Sequence, residues 1–402
     1  MERRKNLNDK FGFVEIMEYT SIGESCSVVS GGTPSRSKNE YWENGNIPWI
    51  KIGNIKSKYV NEYDELITEQ GLNNSSAKLL KKGTILYTIF ATLGEVGILD
   101  IEACTNQAIA GINITDSRIT TDYLYYYLKS KKDYVNNIGR GVAQNNINLT
   151  TLKNFEIPLI DVGKQLNIVE ILEKVERMIC LKEKEIDDLD LLIKARFIEM
   201  FGDAVDNPMG WEKRKLQEIV TDDCTISYGI VQTGNDQKNG VPVFRPVDIV
   251  NKVPKLTELK KTTEEISNKY KKTILKGREL LITVRANIAD TCIVGEEFKG
   301  CNVGRGIVPI RIQEDIMVLE FLKYLLDSKH LNDNIKSKAK GITLIQLNME
   351  DLREVELISP PIEKQIDFVE YAKQVDKSRE AVKKSLEKTQ QLYDSLMQEY
   401  FG

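Results

Sequence analysis

Apolar side chains recur at alternating four- and three-residue steps from Ile168 through Leu172, Val175, Ile179, Ile186, Leu189 and Ile193 to Met200, with Lys182 and Arg196 in the two remaining slots. That spacing predicts one long helix carrying a single apolar seam. The same phase returns 200 residues later at Phe368, Ala372, Val375, Arg379, Val382, Leu386, Thr389, Tyr393, Leu396 and Tyr400, apolar at Val382 and Leu396 where the first copy is charged. Each stretch opens on Lys-Gln (Lys164-Gln165 and Lys364-Gln365) and closes on Phe-Gly (Phe201-Gly202 and Phe401-Gly402), with no Pro or Gly between, so neither helix is broken. Two helices with one matching seam each are expected to pack on each other.

Ahead of each helix lies a stretch with strand-like alternation. Asn46–Ile55 (NIPWIKIGNI), Leu79–Phe90 and GEVGILDI read as strands, and Asp122–Lys132 reads as a helix capped by Asp122. The second half repeats the order. Val241–Val250 stands for the first strand and LKGRELLITV for the second, with Gly277 answering Gly83, Cys301 answering Cys104 and Asn348 answering Asn148. The expected fold is α+β, a tandem duplication of a strand-rich globular domain followed by a long helix. The boundaries are 1–160, 161–202, 203–360 and 361–402. A compact domain brings its ends close together, so the second helix should run back along the first as an antiparallel coiled coil. Such a helix spans roughly 55 Å at about 1.5 Å per residue, with one globular domain expected at each end. The seam is assigned to Leu172, Val175, Ile179, Ile186, Leu189 and Ile193 on one helix and to Val375, Val382, Leu386, Tyr393 and Leu396 on the other.

Composition changes this picture little. The chain has 402 residues, 41% hydrophobic and 29% charged, more than one core accommodates. No apolar run is long enough for a membrane span, and no apolar stretch follows the basic N-terminus to make a secretion signal. Six scattered Cys without CxxC spacing suit reduced thiols in the cytoplasm. The net charge of −4 does not advertise nucleic-acid binding. Ten Asp/Glu against seven Lys/Arg between Asp161 and Gly202 carry part of that acidity, leaving room for basic faces elsewhere.

Catalytic chemistry is poorly represented. His330 is the only histidine, placed at the end of a predicted helix where it favours the dipole. There is no P-loop and no strand-linked GxGxxG. Gly31-Gly32 reads as a tight turn, and the acidic cluster Glu183, Glu185, Asp187, Asp188 and Asp190 as a solvated helix face. No catalytic residue, metal ligand or cofactor is assigned. Loop residues suited to phosphate and base-edge contact are more numerous. In the first domain they are Thr33, Arg36, Lys51, Asn106, Gln107, Arg140, Gln144, Asn145 and Asn146. In the second they are Gln232, Thr233, Arg245, Arg285, Asn287, Arg305, Lys338, Lys340 and Thr343. Arg140 and Lys340 are 200 residues apart, so basic loop residues recur at equivalent places.

Several of these stretches together resemble a known family. SGGTPSR follows a short N-terminal strand, NPMGWEKRKL opens the second half, IPWIKIGNI is partnered by VPVFRPVDI, and the lead-ins FEIPLIDVGKQLNIVEIL and VELISPPIEKQIDFVEYA are paired. Over nearly its whole length the chain resembles the specificity subunit of type I restriction–modification systems. The resemblance implies a non-catalytic subunit in which each globular domain is a target recognition domain reading one half of a split, asymmetric site in double-stranded DNA. The two helices would set the spacing and dock two modification subunits, which bind S-adenosylmethionine and methylate adenine; the restriction motor–nuclease subunits would join through them. It does not fix the base-reading residues, because those domains diverge most within the family. A non-DNA scaffold, joining two protein-binding domains through the helical rod, is the alternative; charge reversal of Arg140 and Lys340 would lower DNA affinity only in the first case.

Overall fold

The computed structural model describes residues 18–139, 146–249, 254–341 and 345–402. The chain divides into two compact units, residues 1–182 with 385–402, and residues 183–384. Each unit therefore holds one strand-rich domain and a portion of both long helices, which run Val162–Phe201 and Ile362–Phe401.

In the first unit, β1 (Glu18–Ser21) pairs antiparallel with β10 (Glu156–Leu159), closing the domain at its two ends. The main sheet has five strands: β2 (Cys26–Ser30), β9 (Ile109–Ile114), β6 (Ile85–Thr88), β7 (Val96–Leu99) and β4 (Tyr59–Val60), in that order. A second sheet sets β3 (Ile47–Ile50) between β5 (Glu65–Ile67) and β8 (Cys104–Thr105). The stretch read as one strand over 46–55 thus stops at Ile50 and turns through Ile52–Asn54, because the Asn54 side chain accepts from the Lys51 N–H. The helix after β9 spans Thr121–Ser130. Thr120 and not Asp122 is its cap residue; Asp122 sits in the first turn and pairs with Lys58 at 2.6 Å.

The second unit repeats the plan with β11 (Lys213–Lys215) on β18 (Glu356–Ile358), β14 (Glu279–Thr283) between β15 (Thr291–Val294) and β17 (Ile307–Ile310), and β12 (Val241–Phe244) between β13 (Lys260–Thr262) and β16 (Asn302–Val303). The helix expected to end at His330 ends at Asp327, and a new one runs Lys329–Ser337. His330 lies in its first turn, where the dipole disfavours a cation, and Nδ1 meets Asp203 Oδ2 at 2.5 Å.

Two correspondences between the halves are corrected by the fold. Thr263 and Thr283 stand where Thr68 and Thr88 stand, 195 residues on, as helix cap and hairpin clamp respectively. Arg278 therefore answers Gly83, and both have positive φ (59° and 89°). Leu80 and Leu275 donate to the carbonyls of Ala103 and Cys301, so Cys301 answers Ala103 and Asn302 answers Cys104. Asn148 and Asn348 do occupy the same N-cap position.

Within each unit the long helices are antiparallel. In the first, Tyr393 Oη donates to Glu176 Oε1 (2.8 Å) and Lys182 Nζ to Ser385 Oγ (2.9 Å). In the second, Phe201 and Phe197 pack on Phe368, and Arg379 pairs with Asp190. Seam residues are fully buried where a recognition domain also covers them: Leu172, Val175 and Tyr393 in one unit, Ile193 and Val375 in the other. Ile179, Leu386 and Leu396 in the first unit, and Ile186, Leu189 and Val382 in the second, are half-buried, as two helices alone can cover only one stripe of each other. Val169, Phe197, Phe201, Val369 and Phe401 lie one position beyond the heptad seam and are buried too. They form the broader apolar face that a helix needs against a domain.

The same latch ties helix to domain in both units. Glu176 accepts from Tyr126 Oη (2.6 Å) and Lys129 Nζ (2.6 Å), and Tyr324 Oη donates to Asp376 (2.9 Å). Burial alone would raise the Glu176 carboxyl, but Lys129, Tyr126 and Tyr393 outweigh it and hold it below its ordinary value of 4.5. A depressed carboxyl contributes stability that is present above pH 4.5 and is lost as acid titrates it in the folded state. Glu176→Gln is expected to cost the first unit about 1 kcal/mol at neutral pH and to flatten its loss of stability below pH 4.5, followed by chemical denaturation across that range.

Candidate nucleic-acid interface

In the first domain the structure gathers Thr33, Arg36, Lys51, Asn106 and Gln107 around the β5–β3–β8 sheet. Gly31 and Gly32 lead into this cluster by close approach, not by a tight turn: a Cβ on Gly31 would lie 2.1 Å from the Asn106 carbonyl, and one on Gly32 2.3 Å from the Ala77 nitrogen. Their N–H groups donate to Ile109 and Thr105 carbonyls, which leaves no phosphate cradle. Thr33 Oγ1 hydrogen-bonds Gln107 Oε1. Arg36 lies flat on Trp42 with Cζ 3.6 Å from the ring centroid, and its edge meets Glu65 at 2.5 Å. Lys51 reaches the same carboxylate at 2.7 Å. Partial burial would raise the Glu65 carboxyl, and the two cations reverse that and lower it. Half-exposed pairs of this kind add about 0–1 kcal/mol; their effect is to hold Arg36 and Lys51 in place with their charge partly spent. Asn106 uses its side chain on the Ala108 N–H.

Asn146 lies apart, bridged to Phe90 at the edge of the β6–β7 hairpin. That hairpin is clamped by Thr88 Oγ1, which donates to the Thr92 carbonyl (2.5 Å) and accepts from Glu95 N–H (2.8 Å), with Ala91 at φ 61°. Arg140, Gln144 and Asn145 lie outside the described residues, as does Thr343.

The second domain has the same clamp at Thr283 and the same strained alanine, Ala286, at φ 61°. Arg285 replaces Phe90 at the hairpin edge and fixes its guanidinium on Gln346 Oε1 (Nε at 2.6 Å). The backbone of Gln346 exchanges two hydrogen bonds with Lys340, which brings exposed Lys340 beside it. Burial, reinforced by the neighbouring Arg305 guanidinium, pulls Arg285 below the usual arginine value. Arg305 is exposed, and no carboxylate among the described residues pairs with either. Arg245 is different: Asp248 takes both its Nε (3.0 Å) and its Nη2 (2.9 Å), so it caps a turn. Gln232 and Asn287 are exposed loop residues. Thr233 supplies its carbonyl to Thr262 Oγ1, and Lys338 closes the Lys329–Ser337 helix. Tyr228, Lys271 and Lys272 were not among the sequence candidates, although the run NKYKKT, basic with an aromatic inside it, was available as a signal.

The two domains share a framework and differ in the side chains it presents. A framework of this kind, duplicated and joined by paired helices, defines a class of DNA-specificity protein. The family model for the type I restriction modification DNA specificity domain matches residues 15–191 and again 208–391. The chain belongs to that family and carries two copies of its domain. The specificity subunit of the type I restriction enzyme MjaIX of Methanocaldococcus jannaschii is 27% identical over 384 residues, covering 86% of this chain and 83% of that protein. The EcoBI specificity subunit of Escherichia coli is 22% identical over 74% of this chain and 69% of its own length. Among solved structures, one describing assembly and conformational transition of a type I R-M system superimposes with a TM-score of 0.66 at 20% identity, covering 96% of this chain and 97% of that one. The S subunit from M. genitalium gives 0.54 at 14% identity, covering 99% and 98%. The chain is thus a non-catalytic DNA-recognition component of a restriction–modification system, which sets the scaffold alternative aside. No helix among the described residues is long and apolar enough to cross a membrane.

Proposed function

We propose that each recognition domain reads one half of a bipartite, asymmetric site in double-stranded DNA, and that the long helices fix the gap between halves and dock two modification subunits. The observation that carries this is the unlike equipment at equivalent positions: Phe90 against Arg285, Gln107 against Arg305, and Gly31-Gly32-Thr33 against Gly229-Ile230-Val231. Two domains built alike but armed differently read different half-sites. For partner docking, the first long helix leaves Leu166, Ile171, Met178 and Leu181 exposed in the first unit, and Leu191, Leu192 and Ile198 in the second. S-adenosylmethionine would sit on the modification subunits, and restriction subunits would join through them, in the cytoplasm where the DNA lies. Selection of random duplexes by the chain assembled with its modification subunits is expected to return two unequal sequence elements at one constant separation. A single uninterrupted element, or none, would contradict the reading.

A further inference from the structure

The second domain has a groove of about 320 Å³ bounded by Ser227 and Tyr228 on one side and the turn Asn268–Thr273 on the other. Three lysines line it. Lys269 is paired with Glu265 at 2.9 Å, whereas Lys271 and Lys272 are exposed and meet no carboxylate among the described residues. Tyr228 lies within electrostatic reach of Arg285, which in turn feels Arg305. The groove thus carries two lysines without a carboxylate partner among the described residues, in the same domain as the unpaired guanidiniums already described and in a chain of net charge −4.

The first domain lacks this surface at the same framework positions. Ile230 donates to the Val303 carbonyl as Gly32 does to Thr105, so Tyr228 stands where Ser30 stands. The offset fixed by the helix caps Thr68 and Thr263 places Tyr270, Lys271 and Lys272 where the first domain has Ser75, Ser76 and Ala77. Val284 donates to the Gly306 carbonyl as Ile89 does to Ala108, so Arg305 stands where Gln107 stands. Arg285 replaces Phe90. Four cations without a carboxylate partner among the described residues thus stand where the first domain has neutral residues; the cations the first domain offers near these positions are Arg36 and Lys51, which share Glu65, and the exposed Lys78 next to Ala77.

We propose that the groove between Tyr228 and the Asn268–Thr273 turn binds the phosphodiester backbone of DNA, making the second domain the electrostatic anchor of the pair. This rests on the reading of both domains as DNA-recognition modules. Unpaired lysines beside an aromatic hydroxyl suit phosphate oxygens, carry no base information, and make binding salt-dependent. The first domain, with Ser76, Ala77, Phe90 and Gln107 at the same places, contributes relatively more through apolar and hydrogen-bonding contact.

The test compares Lys271→Ser with Lys272→Ala, combined in the full chain assembled with its modification subunits, against Lys78→Ala with Lys81→Ala in the first domain. All four lysines are exposed, so folding is not at risk. Binding of a short duplex of arbitrary sequence is measured from low to high salt. The second-domain variant is expected to lower the slope of log affinity against log salt by about 2, one unit per lost phosphate contact, with the selected DNA motif unchanged; the first-domain variant should lower it by less than half as much. An unchanged slope, or equal changes from the two variants, with a split motif still selected, overturns the anchor and leaves the general reading intact. Failure of the parent assembly to select any split motif overturns both.

Discussion

Replacing Phe201 by alanine is expected to cost the second unit about 3–5 kcal/mol, the usual penalty for removing a fully buried phenylalanine. Phe201 is 0% exposed and its ring lies 4.9 Å from Phe321, 5.2 Å from Phe197 and 5.7 Å from Phe368. These aromatics come from both long helices and from the recognition domain, so one truncation opens a cavity where all three meet. Its carbonyl also accepts from Trp211 Nε1 at 3.0 Å, which fixes the chain's entry into the second domain. Neighbouring side chains already fill their own contacts, so collapse into the hole is limited. Peptide-resolved hydrogen exchange should show protection lost in β11, β18 and the Leu319–Asp327 helix, with β2, β6 and β9 unchanged. Phe401, packed on Tyr123 at 5.3 Å, does the same work in the first unit. Equal loss of protection in both units from Phe201→Ala would refute this assignment.

The twin glutamines should be nearly as costly to replace. Gln165 and Gln365 are both 0% exposed. Gln165 Oε1 accepts from Thr120 N–H (2.9 Å), and Nε2 donates to the Arg118 (2.6 Å) and Ile160 (3.0 Å) carbonyls. Gln365 repeats the set on Val318 N–H (2.9 Å) and the Ile316 (3.1 Å) and Pro360 (2.8 Å) carbonyls. One fully buried amide thus satisfies three backbone groups, most of them partly buried, just where helix and domain meet. Methionine at either position fills the volume but strands all three, at about 2–4 kcal/mol. Glutamate should be worse at neutral pH, because an acceptor oxygen then faces two carbonyls and a charge is buried. Denaturant titration that finds either methionine variant within about 0.5 kcal/mol of the parent would exclude this role.

The long helices were legible because a seven-residue apolar rhythm sustained over forty residues fits little besides a helix with one buried seam, and because the second copy kept its phase. The Lys-Gln repeat was equally visible, but its meaning was not: a glutamine on a helix reads as solvent-facing until the carbonyls it ties are in view. Matching the two domains glycine to glycine misled at Gly83, whose counterpart Arg278 adopts a left-handed backbone without being glycine. Asp122 drew the cap assignment because aspartate favours helix starts, whereas the chain enters the helix at Thr120. Candidate loop residues could be collected by type, but not sorted. Arg245 lies three residues from Asp248, a pairing that the spacing itself could have suggested. Arg36, in a turn, meets Glu65 of β5 only once the domain is folded, a contact that the sequence does not display.

Whether two unlike recognition domains read two unlike half-sites is decided by mapping methylated adenines in cells carrying this chain with its modification subunits, and again after residues 203–360 are exchanged for those of another family member. The expected outcome is a split motif in which one half changes while the other half and the gap are retained. A motif that changes in both halves, or in neither, would show that the domains do not read DNA independently.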